Sequence, residues 1–198
     1  MRSTSLLMML SLLSMPAVSG ATDEVPGGLG GGLMLGGNFC IPNGDANCDN
    51  IDPSVGFSFF GQYRFIDFLA VEAKFFYGLY DTPDVDTDRL GVLGGLRAYL
   101  PISAVDIYAE ADIGWGQLKL EQGGNKISMD GFTMAFGLGA DYRVTRWFTL
   151  GLVARYHLPI YNRLCLYANG ESDCDDIPDE ADIAHGLMFG VNVGFYLP

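Results

Sequence analysis

The chain has 198 residues, enough for one domain, and a formal net charge of −13 that disfavours binding to nucleic acid, whose phosphates would repel it. Its 27 glycines and 13 phenylalanines are many for an ordinary soluble domain. Beyond the N-terminal region no apolar run reaches the ~18 residues that a transmembrane helix requires, so any later membrane contact would have to use strands.

The N-terminus has the organisation of a secretory signal peptide. One positive charge precedes a short apolar core at residues 6–13, and small residues follow up to Gly20 and Ala21. This pattern predicts cleavage near these two residues. We therefore expect residues 1–21 to be a signal peptide and residues 22–198 to form one mature domain.

Eight segments alternate between apolar residues and small or polar ones, which is the side-chain period of a β-strand. They are predicted at about residues 29–39, 55–65, 69–79, 89–100, 106–118, 132–143, 148–157 and 186–197. Each contains at least ten residues, which is about the length that a tilted strand needs to cross a bilayer. The alternation is clearest in the sixth and seventh segments.

The two faces of these strands differ in chemistry. One face is apolar and aromatic, and it suits lipid. The other is small, polar or charged, and it suits the interior of a closed barrel, where charges pair with each other. The outward set includes Phe57, Phe59, Tyr63, Phe65, Val71, Phe75, Tyr77, Val92, Leu96, Ile107, Ile113 and Trp115. The predicted lumen network is Arg64, Glu72, Lys74, Arg97, Glu110, Asp112, Asp141, Arg143 and Arg155.

The connections alternate in length. Short turns are predicted at residues 66–67, 101–105 and 144–146, and longer polar connections at residues 40–54, 81–88, 119–130 and 162–184. Outer-membrane barrels have short turns in the periplasm and long loops outside the cell. The expected fold is therefore all-β: an eight-stranded antiparallel up-and-down transmembrane β-barrel with short periplasmic turns and long extracellular loops.

A family resemblance supports this interpretation. The penultimate hairpin of the eight-stranded outer-membrane β-barrels of Gram-negative bacteria, the group that includes the transmembrane domain of outer membrane protein A, resembles residues 137–159, GLGADYRVTRWFTLGLVARYHLP. The likeness extends over nearly the whole mature chain. It implies an integral protein of the bacterial outer membrane after signal-peptide cleavage, and it is specific for architecture rather than activity.

Four cysteines fall in two close pairs. Cys40 and Cys48 flank one polar connection, and Cys165 and Cys174 flank another. In an exported protein such local pairs predict two disulfides. A four-thiol metal site is disfavoured, because the spacing is not that of zinc-binding cysteines.

Acidic residues are concentrated in the predicted long loops. Asp45, Asn47 and Asp49 stand at alternate positions, as at the start of a calcium-binding loop, but Asn50 replaces the expected glycine and Gly56 stands where the loop would need glutamate. These residues are only weak metal candidates. We expect a solvated acidic rim, with no cofactor and no metal.

We therefore expect a monomer with a structural or surface-interaction role, whose lumen is closed by a salt-bridged polar network. Its expected partners are outer-membrane lipid and a surface partner bound through the extracellular loops. Two alternatives remain: a narrow ion-conducting pore, and a soluble periplasmic calyx that carries an apolar ligand. We expect no enzyme, because the two histidines, His157 and His185, have no obvious serine partner.

Overall fold

A computed structural model of the chain describes residues 28–44, 48, 53–82, 85–168, 171–177 and 183–197. The predicted signal peptide and the weak metal candidates Asp45, Asn47 and Asp49 lie outside these residues. No helix among the described residues is long and apolar enough to span a membrane.

Nine β-strands make up the described part of the chain. They are β1 Gly28–Ile41, β2 Ser54–Ile66, β3 Leu69–Thr82, β4 Val85–Ile102, β5 Val105–Gln122, β6 Asn125–Thr145, β7 Phe148–Ala168, β8 Glu171–Asp176 and β9 His185–Tyr196. From β1 to β7 each strand pairs antiparallel with the next, β7 also pairs with β9, and β9 pairs with β1. Eight strands thus close a ring, and β8 pairs with β7 outside it.

The ring is closed by a glycine-rich seam between β1 and β9. Gly32 lies opposite Gly194, and Gly36 lies opposite Gly190. A Cβ atom added to Gly36 would stand 2.8 Å from the Cα of Gly190, so the two backbones approach more closely than larger residues would allow. The first and last strands of the ring therefore meet backbone to backbone at these positions.

The orientation of the two faces is the one that the alternation predicts. Leu138 and Leu152 on the outer surface are each 66% exposed, whereas Arg97 and Arg143 are only 1% exposed. Tyr63, Phe65 and Trp147 are among the exposed aromatic residues near the strand ends. An apolar exterior around a charged interior is the arrangement of a barrel in lipid. A soluble calyx requires the opposite orientation, so that alternative is wrong.

The predicted short turns are confirmed, and they all lie at one end of the ring. β2 and β3 are joined at Asp67–Phe68, β4 and β5 at Ser103–Ala104, and β6 and β7 at Arg146–Trp147. This is the periplasmic end.

Three of the four long connections are mostly strand, which differs from the prediction, since the end of β7 and the whole of β8 lie within residues 162–184. β3 ends at Thr82 and β4 begins at Val85, and only Gly123 and Gly124 separate β5 from β6. Both glycines have positive φ, at 58° and 88°, as tight two-residue hairpin turns require.

The alternation in β6 fails before Phe132 because the strand changes register there. Ser128 and Gly131 are both buried although their positions differ by three, an odd number that would place them on opposite faces of a regular strand. The pairing with β7 shifts between Asp130 and Gly131, which reverses the parity that faces inward. One continuous alternation therefore cannot include all of β6, and the predicted strand begins at Phe132, just after the shift.

Candidate functional site

The structure places all nine residues of the predicted lumen network inside the ring, where each is less than 10% exposed. The antiparallel register brings six of them into one central cluster, which we define as Glu72, Lys74, Arg97, Glu110, Asp112 and Arg155. The other three are Arg64, Asp141 and Arg143, which lie nearer the periplasmic turns. Inward alternation on neighbouring strands is what makes these side chains meet.

Lys74 stands at the meeting point of three carboxylates. Its Nζ atom lies 2.5 Å from Glu72 Oε1, 2.7 Å from Asp112 Oδ2 and 2.9 Å from Glu110 Oε2. The same three carboxylates are close enough together to hold a metal ion. The lysine ammonium already supplies the positive charge at their centre, so the geometry favours an internal ion-pair cluster over a metal site.

Two arginines complete the central cluster. Arg97 Nη2 lies 2.9 Å from Glu72 Oε2 and 2.8 Å from Glu110 Oε2, and Arg155 Nε donates to Glu110 Oε1 at 2.6 Å. Arg155 Nη1 also donates to Ser58 Oγ at 3.3 Å. Three acids thus face three bases, which leaves the central cluster formally neutral.

A second ionic group lies toward the periplasmic turns. Arg64 Nη1 is 3.1 Å from Asp106 Oδ2, and Arg143 Nη1 is 3.9 Å from Asp106 Oδ1. Arg64 also donates to the backbone oxygen of Asp67 in the first turn. Sequence reasoning missed Asp106 as a lumen residue because it begins the predicted fifth strand. Its parity, shared with Glu110, was the signal that could have found it.

Uncharged polar groups join these ionic groups. Tyr99 donates to Gln62 at 2.9 Å, Gln62 donates to the hydroxyl of Tyr196 at 2.8 Å, and Asn192 donates to Asp141 at 2.7 Å. These tyrosines and amides were also missed, since tyrosine, glutamine and asparagine at single inward positions carry no distinctive sequence signal. They extend the network of hydrogen-bonded side chains inside the ring.

Small residues make room for the network. A Cβ atom added to Gly137 would lie 2.5 Å from Glu110 Oε1, and one added to Gly95 would lie 2.4 Å from Asp112 Oδ1. Each glycine therefore stands where a carboxylate of the neighbouring strand crosses the lumen. The many glycines of the polar face are explained by this crowding.

An apolar layer interrupts the polar lumen on the way to the extracellular end. Phe76, Leu93 and Ala135 form a buried cluster above the central cluster. Beyond it lie Arg89 and His157, and both pack against the ring of Phe76. His185 contacts the hydroxyl of Tyr156 through Nδ1.

Strands on one side of the ring are longer than a bilayer crossing requires. β6 and β7 have 21 residues each, about twice the ~9–11 that a tilted strand needs to cross a membrane. β8 adds a further strand to the end of β7. We call this region the projecting sheet; it comprises residues 117–130, 160–168 and 171–176.

Both predicted disulfides are present. Cys165 and Cys174 are direct register partners across β7 and β8, with their Cα atoms 4.1 Å apart. Cys40 and Cys48 join the end of β1 to the connection that follows, with a Cα separation of 5.8 Å. The bridge between Cys165 and Cys174 therefore links the two strands of the hairpin formed by β7 and β8.

A closed antiparallel ring with an apolar exterior and an ion-paired interior defines an integral β-barrel of the bacterial outer membrane. The family model described as "Outer membrane protein beta-barrel domain" matches residues 5–195. The chain belongs to this family, and its location is the bacterial outer membrane.

Solved structures similar to this chain are also outer-membrane barrels. Neisserial surface protein A is 13% identical, with a TM-score of 0.63, and the match covers 85% of this chain and 97% of that one. The attachment invasion locus protein Ail of Yersinia pestis is 18% identical, with a TM-score of 0.50 and coverage of 85% and 99%. OprG of Pseudomonas aeruginosa is 15% identical, with a TM-score of 0.50 and coverage of 89% and 100%. Ail has also been solved with the heparin analogue sucrose octasulfate. A comparison with curated proteins found no match.

Proposed function

We propose that this chain is a monomeric, non-enzymatic surface protein whose projecting sheet binds an extracellular partner that carries positive charge. The observation that carries the proposal is the uneven length of the strands. β1, β2 and β3 have 13 or 14 residues, whereas β6 and β7 have 21 and are extended further by β8. A barrel that served only to anchor itself would not need such a sheet outside the bilayer.

The edge of β8 is suited to recognition. Among the described residues β8 pairs with β7 alone, so its other edge presents free backbone donors and acceptors to an extended peptide. Asp173, Asp175 and Asp176 are exposed along this strand. Their charges repel a second copy of the same acidic edge and attract a basic partner, which favours binding to other molecules over self-association.

The aspartates of β8 favour a positively charged partner, whereas the ligand in one similar structure is negatively charged. Sucrose octasulfate, which is bound in an Ail structure, is an anion. The carboxylates of β8 would repel such a ligand. We therefore assign the projecting sheet to basic protein segments rather than to sulfated sugars.

Binding of a basic peptide tests the proposal. The protein is reconstituted in nanodiscs of zwitterionic lipid, and a fluorescent peptide of alternating lysine and valine serves as the probe. We expect saturable binding that weakens with salt and that falls sharply in a variant combining Asp173→Asn, Asp175→Asn and Asp176→Asn. Asp67→Asn, in an exposed periplasmic turn, is the matched control. Equal binding by the triple variant and the control would contradict the proposal.

The described histidines support a role without catalysis. His157 is buried against Phe76, and His185 contacts Tyr156. Within the described ranges neither histidine hydrogen-bonds a serine or a carboxylate, which a nucleophilic or hydrolytic site would need.

We further propose that the lumen is closed. Support comes from the ion pairs of 2.5–3.1 Å that join Arg64, Lys74, Arg97 and Arg155 to carboxylates inside it. An eight-stranded ring is only wide enough for its own side chains. Planar-bilayer recording tests this directly: we expect no stepwise conductance from the wild-type protein. Regular single-channel steps would instead favour the narrow pore.

A further inference from the structure

The buried charges of the described lumen do not balance. Five carboxylates are buried: Glu72, Asp106, Glu110, Asp112 and Asp141. Six basic side chains, each with one formal positive charge, are buried with them: Arg64, Lys74, Arg89, Arg97, Arg143 and Arg155. The ion pairs of the described side chains join five of these cations to carboxylates, and none of them includes Arg89.

Arg89 is far from the carboxylates that neutralise the other cations. It precedes Arg97 by eight residues on β4, or about 26 Å along the strand, and the apolar cluster of Phe76 and Leu93 lies between them. Arg89 is 6% exposed, and its guanidinium carbon lies 5.4 Å from the centre of the Phe76 ring. The hydroxyl groups of Tyr80 and Tyr161 are within hydrogen-bonding reach.

Several buried polar atoms around Arg89 lack partners. In the part of the chain that the structure describes, Arg89 Nε and Nη2, Asn38 Nδ2 and His157 Nδ1 make no hydrogen bond. All three side chains line the same small cavity, together with Phe76 and Met188. Arginine and asparagine nitrogens can only donate, and the histidine nitrogen donates in one of its two tautomers. When the hydrogen of His157 is on Nδ1, all of these atoms are donors and none of them can satisfy another, so they need a shared acceptor.

We propose that this cavity binds a small monovalent anion of the size of chloride. The cavity has a volume of about 10 Å³, which is room for one particle of about that size. A water molecule could accept two of the hydrogen bonds but would leave the charge of Arg89 uncompensated. An anion satisfies the donors and also supplies the missing sixth negative charge.

Chloride-35 NMR on the detergent-solubilised protein is the first test. Exchange with a bound site broadens the chloride signal, and we expect the wild-type protein to broaden it more than an equal concentration of protein-free micelles. Arg89→Gln should lower the affinity about tenfold or more, because it removes a charged donor from a buried site. Arg146→Gln, which removes an arginine from an exposed periplasmic turn, is the matched control and should leave the broadening unchanged.

A second variant separates loss of the site from loss of folding. A Cβ atom at position 186 would lie 2.8 Å from Arg89 Nη1, so Gly186→Ala displaces the guanidinium while it keeps every charge of the lumen. We expect this variant to fold and to lose the chloride broadening as well. Broadening that is absent from the wild type, or unchanged in both variants, overturns the proposal.

Crystals grown in bromide provide the structural test. We expect an anomalous peak within hydrogen-bonding distance of Arg89 Nε. A water molecule alone at that position, or a carboxylate from an acidic connection paired with Arg89, overturns the proposal.

Discussion

Glu110 is the residue that holds the central cluster together. Its two oxygens contact Lys74, Arg97 and Arg155, so one carboxylate serves all three cations of the cluster. Removal of one partner from a buried ion pair is more damaging than replacement of the whole pair, because the remaining charges stay buried without compensation.

Glu110→Gln should therefore destabilise the barrel by about 3–5 kcal/mol. The measurement is the urea midpoint of unfolding from lipid vesicles, read from the shift of the folded band on unheated gels. Glu121→Gln, at the exposed end of the same strand, is the control and should leave the midpoint unchanged. If Glu110→Gln unfolds at the same urea concentration as the wild type, the central cluster does not stabilise the barrel through Glu110.

Two glycines, one inward and one outward, allow the steric effect of an added methyl group in the lumen to be distinguished from the general effect of replacing glycine in a strand. A methyl group at Gly137 would stand 2.5 Å from Glu110 Oε1, whereas a methyl group at the outward Gly61 would meet nothing within 4 Å. We expect Gly137→Ala to cost about 1–3 kcal/mol through displacement of Glu110. Gly61→Ala should be neutral or stabilising by about 0.5–1 kcal/mol, because alanine suits a strand better. Equal losses in the same unfolding assay would show that the lumen is not crowded at Gly137.

At the scale of elements, the hairpin of β7 and β8 depends on its own disulfide. β8 has six residues and pairs with β7 alone within the described ranges, and a short isolated pairing of this kind is marginal in water. The bridge between Cys165 and Cys174 spans nine residues, and loop closure of this length is worth about 2–3 kcal/mol in the chain-entropy model.

A double variant of Cys165→Ser and Cys174→Ser should make this hairpin sensitive to protease while the barrel remains folded. Limited proteolysis of reconstituted protein, followed by mass spectrometry, locates the new cuts. The matched control, Cys40→Ser with Cys48→Ser, removes the other bridge and should leave residues 165–176 protected. Protection of the hairpin in the first variant would show that strand pairing alone maintains it.

The elements differ in how well the sequence predicts them. Membrane-spanning strands are predictable because lipid and lumen impose opposite chemistry on alternate residues, as between Phe132 and Arg143. The extensions are less so, because on the proposed placement they lie outside the lipid, which is what enforces an apolar outer face. Gly123-Gly124 was a usable hairpin signal. The fifth carboxylate, Asp106, and the sixth cation, Arg89, were missed because each lies at a predicted strand boundary.

At the scale of the molecule, one strand reports where the bilayer ends. Leu138 and Ile127 both face outward on β6, with exposures of 66% and 37%, but Leu138 lies in the ring and Ile127 in the projecting sheet. Leu138→Arg should cost about 2–4 kcal/mol, the cost of arginine near the middle of the bilayer. Ile127→Arg should cost little, since water already surrounds it. Unfolding from vesicles measures both, and equal costs would contradict this placement of the membrane.

The seam of glycines between β1 and β9 has a consequence for how the protein enters its membrane. Acyl chains offer no hydrogen bonds, so a ring that lacks either of these strands would leave a whole row of peptide groups bare. Gly32, Gly36, Gly190 and Gly194 have no side chains, so at these positions β1 and β9 can pair without any rearrangement of side chains between them. We therefore expect membrane insertion and folding to occur in one cooperative step, in which the pairing of β1 with β9 forms last.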